Sequence, residues 1–160
     1  MNPLAWLIGL FLPACGFPAA EGLPAPKLMD VAQIVRPSSP NTALAAPAGF
    51  TPPPDIVTPH YALPAENLFA LVQQIAASQP RTFPASLYAD QLQAHYVVRS
   101  AVFNFPDQVM VQVRKDGPDG SDLIVYSRSV YGESDLGVNR KRVETWLATL
   151  QTKLPTSSER

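Results

Sequence analysis

The chain contains one cysteine, two histidines and almost no net charge, and each shortage removes a class of explanation. A single thiol excludes an intrachain disulfide, and with only His60 and His95 to join it a Cys/His zinc centre lacks a donor set. Neither histidine has a carboxylate or thiol at ligand spacing, so no metal and no cofactor is expected. A formal charge of −1 and a pI of about 6.1 offer no attraction to nucleic acid, and no basic stripe with interleaved aromatics appears. Long apolar runs are missing too. The run Leu4 to Leu12 lies between Pro3 and Pro13 and falls far short of the roughly 20 residues a membrane-spanning helix needs.

Proline, by contrast, is plentiful and unevenly placed. Of 18 prolines, 13 lie within residues 1–64, so the front of the chain is extended and the regular fold begins behind it. The expected organisation is an export signal of lipoprotein type over 1–15, a Pro-rich tether and extended loop over 16–55, an α+β domain over 56–154 and a disordered tail over 155–160. Leu12-Pro13-Ala14-Cys15-Gly16 resembles a bacterial lipoprotein signal, in which the new amino-terminal cysteine carries lipid. That resemblance implies lipidation at Cys15, attachment to a membrane through an N-terminal lipid anchor, and export to the cell envelope at the periplasmic face or outer membrane. It also gives the one unpaired thiol a use.

Periodicity sets the order of elements. Ile56 to Leu63 reads as a strand, and Pro64-Ala65-Glu66 opens a helix to Ser78, with Leu68, Leu71, Val72, Ile75 and Ala76 on one stripe. Arg81–Tyr88, Gln93–Val102, Gln108–Lys115 and Asp122–Val130 then have strand character, the last two joined by the turn residues Asp116 to Gly120. Val143, Trp146, Leu147, Leu150 and Leu154 make a terminal amphipathic helix. The predicted fold is α+β, an antiparallel sheet of about five strands with two helices on one face, in the order β-α-β-β-β-β-α. By analogy it is a reduced helix-grip, with a long terminal helix closing over an apolar cavity. Arg140, Lys141 and Arg142 oppose the positive end of the helix dipole if that helix begins at Asn139, so an earlier start capped by Ser134 or Asp135 is favoured over a bound anion.

The tight turn also fixes a register. Placing Val113 across from Leu123 pairs Val111 with Val125, Val109 with Ser127 and Asp107 with Ser129, giving one apolar face. The opposite face carries His95, Val97, Arg99, Met110, Gln112, Ile124, Tyr126 and Arg128, too greasy for plain solvent and too charged for a core.

Several polar blocks carry a further likeness. Arg36-Pro37-Ser38-Ser39-Pro40-Asn41, Arg99-Ser100, Phe105-Pro106-Asp107, Tyr126-Ser127-Arg128-Ser129 and Ser134 to Arg140 with Arg142-Val143 together resemble the uncharacterised bacterial family catalogued as domain of unknown function 1499, over about residues 36–150. The resemblance implies that these blocks belong to the domain, and it implies no activity.

Functionally, the arginines stand out. Arg99 and Arg128 project from one sheet face and Arg140 and Arg142 arrive from the turn, so the four guanidinium groups are expected to converge near Tyr126, Asp135 and Asn139. That cluster admits two readings: a site for a small anionic or amphipathic ligand, or an internal network in which Asp107 and Asp135 neutralise the arginines beside Ser127 and Ser129. The network is favoured. No Gly-x-Ser-x-Gly elbow activates a serine, so no catalytic residue is assigned, and the leading function is a noncatalytic envelope lipoprotein domain binding such a ligand or an unknown partner protein. The alternatives are a hydrolase or cyclase-like enzyme with an Arg-lined pocket, and a structural adaptor using the 36–59 loop.

Overall fold

A computed structural model describes residues 3–155; of the tail expected over 155–160, residues 156–160 lie outside the described residues. Six strands form one mixed sheet: β1 (Thr42–Pro47), β2 (Ile56–Thr58), β3 (Thr82–Tyr88), β4 (Gln93–Arg99), β5 (Pro106–Lys115) and β6 (Ser121–Ser129), in the spatial order β2-β1-β6-β5-β4-β3. Three α-helices accompany them: α1 (Pro3–Gly9), α2 (Ala65–Ser78) and α3 (Val138–Lys153).

The α+β class is as the periodicity predicts, with one strand more. β1 falls inside the stretch expected to be loop. Its sequence, Thr-Ala-Leu-Ala-Ala-Pro, lacks the branched and aromatic residues that mark a strand, and its interior is buried on both faces, so no polar alternation announces it. β1 pairs antiparallel with β6 and parallel with β2, which makes the sheet mixed. β2 stops at Thr58 because Pro59 has no amide to donate to a ladder, and Tyr61 returns only as an isolated bridge to Ser121.

The hairpin register is the expected one: Val113 opposes Leu123, Val111 opposes Val125, Val109 opposes Ser127 and Asp107 opposes Ser129. Both long helices cover this face. Leu68, Val72 and Ile75 of α2 and Val143, Trp146 and Leu150 of α3 enter one core with Ala43, Ala45, Tyr96, Val98 and the hairpin valines. Trp146 packs edge-to-face on Tyr96 with ring centroids 5.8 Å apart, an arrangement that adds about 1 kcal/mol to simple burial. The space between α3 and the sheet amounts to only about 10 Å³. The apolar cavity of a helix grip is therefore filled by side chains.

The other sheet face is covered from the front of the chain. Val31 and Ile34, with Met29 and Phe50 at the margin, pack on Leu44, Ala46, Met110, Ile124 and Tyr126 in a second, smaller core. The segment expected as a tether is strapped down by side chains that reach its backbone. Ser86 and Tyr88 both donate to the Pro26 carbonyl (2.7 and 2.9 Å), and Gln93 holds both the amide and the carbonyl of Met29 (2.7 and 2.8 Å). These bonds replace the sheet ladder that a Pro-rich segment cannot make.

Candidate functional site

The charged corner forms where α3 meets the ends of β1, β5 and β6. Leu136 (φ +54°) and Gly137 (φ +80°) are left-handed, a conformation that cannot continue a right-handed helix backwards. The helix therefore begins at Val138 and not a turn earlier. Asp135 still caps it, as its carboxylate accepts from the amides of Gly137 (2.9 Å) and Asn139 (2.8 Å). The dipole conflict is relieved by pairing: Arg140 meets Glu144 at 3.0 Å in solvent, and Arg142 donates to Asp107 at 2.6 Å, where both side chains are only 12% exposed.

Asn139 is the hub of this corner and is fully buried. Its amide nitrogen shares its two hydrogens among the Asn41 carbonyl (3.0 Å), Ser129 Oγ (2.9 Å) and Asp135 Oδ2 (2.7 Å), and its oxygen accepts from the Ser127 hydroxyl and from Arg142 Nη1 (2.7 Å). Arg142 Nη1 also donates to Ser127 Oγ at 3.0 Å. Asn41 extends the chain of contacts by donating to the Gly132 carbonyl at 2.6 Å. Among the described residues no buried side-chain nitrogen or oxygen lacks a partner. Hydrogen bonds thus join Asp107, Ser127, Ser129, Asp135, Asn139 and Arg142; Arg142 pairs with Asp107, while Asp135 serves amides and an asparagine instead of an arginine.

The four arginines do not converge, because the sheet separates them. Arg99 and Arg128 share the outer face, whereas Asp107, and with it Arg142, lies on the helix-covered face. Arg99 is 2% exposed and spends its guanidinium on the carbonyls of Ala14, Ala19, Glu21 and Asn104, fastening the N-terminal segment. Burial pulls its pKa down from the ordinary arginine value. Arg128 is exposed and donates through Nε and Nη2 to Gln108 Oε1 (3.1 and 2.7 Å). Arg140 points to solvent on α3.

Arg128 and Tyr126 do share a site. They line an open cleft of about 480 Å³ between the outer sheet face and residues 23–29. Met110, Tyr126 and His95 are three neighbours across β5, β6 and β4 and form its floor; Gln108 and Arg128, two residues further along, form one end, and Lys27 joins from the strap. Among the described residues no carboxylate lines it. Burial lowers the His95 pKa to about 4, so the ring is neutral near pH 7, and burial raises that of Tyr126 against the opposing pull of Arg128 and Arg36. Lys27 was hidden from sequence reasoning because it sits in a segment that reads as tether. A second hollow, of about 270 Å³, borders the corner at Asp107, Ser129 and Asp135 and is partly walled by Leu12.

The pairing of His60 also departs from the sequence reading. His60 Nδ1 lies 3.3 Å from Asp122 and 3.4 Å from Asp116, and the three donor atoms fall within 4.8 Å of one another, the one such group of possible metal ligands among the described residues. The Tyr61–Ser121 bridge brings these residues together from positions far apart in the chain.

The family model described as a protein of unknown function, DUF1499, matches residues 34–150. No curated protein matches the chain. Among solved structures the chain is similar to a solution NMR structure from Thermobifida fusca, a Northeast Structural Genomics Consortium target, at 9% identity over 68% of this chain and 83% of that one, with a TM-score of 0.42.

Proposed function

The chain belongs to the DUF1499 family of proteins of unknown function, and from that premise we propose that it is a noncatalytic cell-envelope domain, lipid-anchored at Cys15, that binds a small amphipathic or anionic ligand in the cleft under residues 23–29. One observation carries the binding reading. Arg128 and Lys27 both line the cleft, and among the described residues neither is paired with a carboxylate, whereas Arg36, Lys115, Arg140 and Arg142 all have acidic partners. Two cations that line one cleft without a paired carboxylate suit a negatively charged ligand.

The corner network supports a scaffold role for Asn139, Asp135 and Arg142, since their hydrogen-bonding atoms are engaged with one another. Ser127 donates to Asn139 and not to a base, which weighs against nucleophilic chemistry. In the 36–59 loop Arg36 is paired with Asp55 at 2.7 Å and bonded to Thr42, which weighs against that loop as a protein-recognition element. No helix among the described residues is long and apolar enough to cross a membrane, so membrane attachment in this reading rests on the lipid. The exposed apolar side chains Trp6, Leu7, Leu10 and Phe11 suit a leader that is removed on export.

Native mass spectrometry of the anchored protein purified from its membrane fraction tests the binding reading: a co-purifying small molecule is expected and should be depleted in Arg128→Ala while the fold, followed by circular dichroism, is retained. A wild-type protein that carries nothing and captures no anion overturns it. Palmitate labelling that persists in Cys15→Ala overturns the anchor.

A further inference from the structure

His60, Asp116 and Asp122 are brought together by backbone contacts that fix where each side chain starts. His60 and Asp122 each sit one residue from the Tyr61–Ser121 bridge, whose two reciprocal hydrogen bonds measure 2.9 and 3.0 Å. Asp116 comes from the β5–β6 turn, which is closed by its amide donating to the Gly120 carbonyl at 2.9 Å. Glycine is required beneath the ring, since a Cβ on Gly120 would stand 2.8 Å from His60 Nε2 and 2.9 Å from Cε1. The imidazole thus lies against the turn and brings Nδ1 to both carboxylates.

An ordinary ion pair does not account for this arrangement. Nδ1 can donate only one hydrogen, and it stands 3.3 Å from Asp122 Oδ1 and 3.4 Å from Asp116 Oδ2. Both distances exceed the roughly 2.7–2.9 Å of a charge-assisted hydrogen bond. The cations nearest in sequence are engaged elsewhere: Lys115 pairs with Glu66, and Arg114, opposite Asp122 in the ladder, sets its guanidinium over the Phe50 ring. The spacing does match metal coordination, because tetrahedral ligands on bonds of about 2.0–2.1 Å lie about 3.3–3.4 Å from one another.

We propose that His60, Asp116 and Asp122 bind a divalent transition ion of the zinc class, through Nδ1 and one oxygen of each carboxylate. The inference is independent of the cleft on the outer sheet face. Two carboxylates and a neutral imidazole balance the charge of the ion. Calcium and magnesium take oxygen ligands, whereas an imidazole donor selects zinc and its neighbours. All three donor atoms fall within 4.8 Å of one another, and Asp116, whose side chain is 68% exposed, is free to close the remaining edge. Three protein ligands leave the fourth position to water, the pattern of an open site and not of a closed structural one. His60 also lines an open hollow of about 710 Å³ with Asp119, so solvent reaches the site and the ion is exchangeable.

The test is calorimetric titration of zinc chloride into the untagged protein, as purified from the cell and freed of metal by a chelator that is then removed. One ion per chain is expected. Loss of a direct ligand should cost at least what loss of an outer-shell partner does, so His60→Ala and Asp122→Asn should each weaken binding roughly tenfold or more, with Asp116→Asn weakening it less. Zinc should raise the thermal midpoint of the wild type and of none of the ligand variants as far. Cobalt(II) in place of zinc should give the intense visible bands of a tetrahedral ion, and excess calcium or magnesium should not displace either. The absence of saturable binding, or zinc binding unaltered in both His60→Ala and Asp122→Asn, overturns the site. Displacement by equimolar calcium or magnesium overturns the transition-ion class. Each variant is compared at its own metal-free thermal midpoint; should His60→Ala lower that midpoint, His60→Gln, which keeps the bulk of the side chain over Gly120, decides the same question.

Discussion

Replacing Asn139 with alanine should be among the most damaging single changes on α3. The amide makes five polar contacts, through two donated hydrogens and two accepted ones, at a site with no solvent access, and each full hydrogen bond is worth about 1 kcal/mol net. The sum is not the expected loss, because several partners keep a second contact: Ser127 Oγ still receives Arg142 Nη1, and the Asn41 carbonyl still receives the Ser129 amide at 3.0 Å. What is left without a substitute is the link between α3 and β1, together with a small cavity, so a loss of about 3 kcal/mol is expected. For a domain with about 5 to 15 kcal/mol in total, urea unfolding should show a clearly lower midpoint with an unchanged slope. Asn139→Asp is the sharper probe. It preserves volume and an oxygen for Arg142, but sets a second oxygen against Asp135 Oδ2 where the amide now donates at 2.7 Å, so it should destabilise at least as much near pH 7 and recover as the carboxylates are protonated. A loss below about 1 kcal/mol in both variants would refute the hub role, since it would mean that these bonds are exchanged for water at no cost.

Other consequences follow from the same geometry. Arg142→Met leaves Asp107 as a nearly buried charge without its partner and should cost about 3 kcal/mol, whereas Arg142→Met combined with Asp107→Leu should recover much of that; the double-mutant cycle measured by urea unfolding reads the coupling. Gly137→Ala meets no atom within 4 Å but must hold φ at +80°, so about 1 kcal/mol of stability should be lost to backbone strain alone, visible as a lower thermal midpoint. His95 is held neutral by burial, its pKa lowered from 6.5 to about 4. The unfolded chain therefore binds the extra proton between those values, and the stability associated with this site is fully present above pH 6.5 and is lost as pH falls towards 4, by at most about 3 kcal/mol. His95→Gln should flatten that part of the stability-versus-pH curve, and an unchanged slope would contradict the assignment.

The sequence made some of this legible and hid the rest for physical reasons. The β5–β6 hairpin could be read because its turn residues and its alternation agree, and that register alone placed Asp107 beside Ser129 and separated the two sheet faces. α2 and α3 announced themselves by apolar stripes, although the start of α3 depends on the left-handed Leu136, which no propensity marks as such. β1 stayed hidden because alanines buried on both faces carry no periodic signal. The strap reads as a tether because its hold on the sheet is made by side chains of Ser86, Tyr88, Gln93 and Arg99 reaching its carbonyls, contacts encoded at the far end and not within the Pro-rich segment itself.

The convergence of four arginines failed for a different reason: sequence pattern gives the face of a residue in a strand but not the face from which a following helix returns. Once α3 is known to lie with α2, Arg142 must meet Asp107 on the covered side, and Arg128 is left on the outer side with Gln108. The two candidate roles of the arginines, scaffold and ligand site, are thereby divided between opposite faces of one sheet. Arg142 neutralised by Asp107 can be removed only at the expense of the fold, whereas exposed Arg128, with a neutral partner, should be replaceable with a change in stability within about 0.5 kcal/mol. Measuring unfolding of Arg128→Ala beside Arg142→Ala therefore separates the roles: equal losses in the two variants would return both arginines to the scaffold and leave the cleft without its cation.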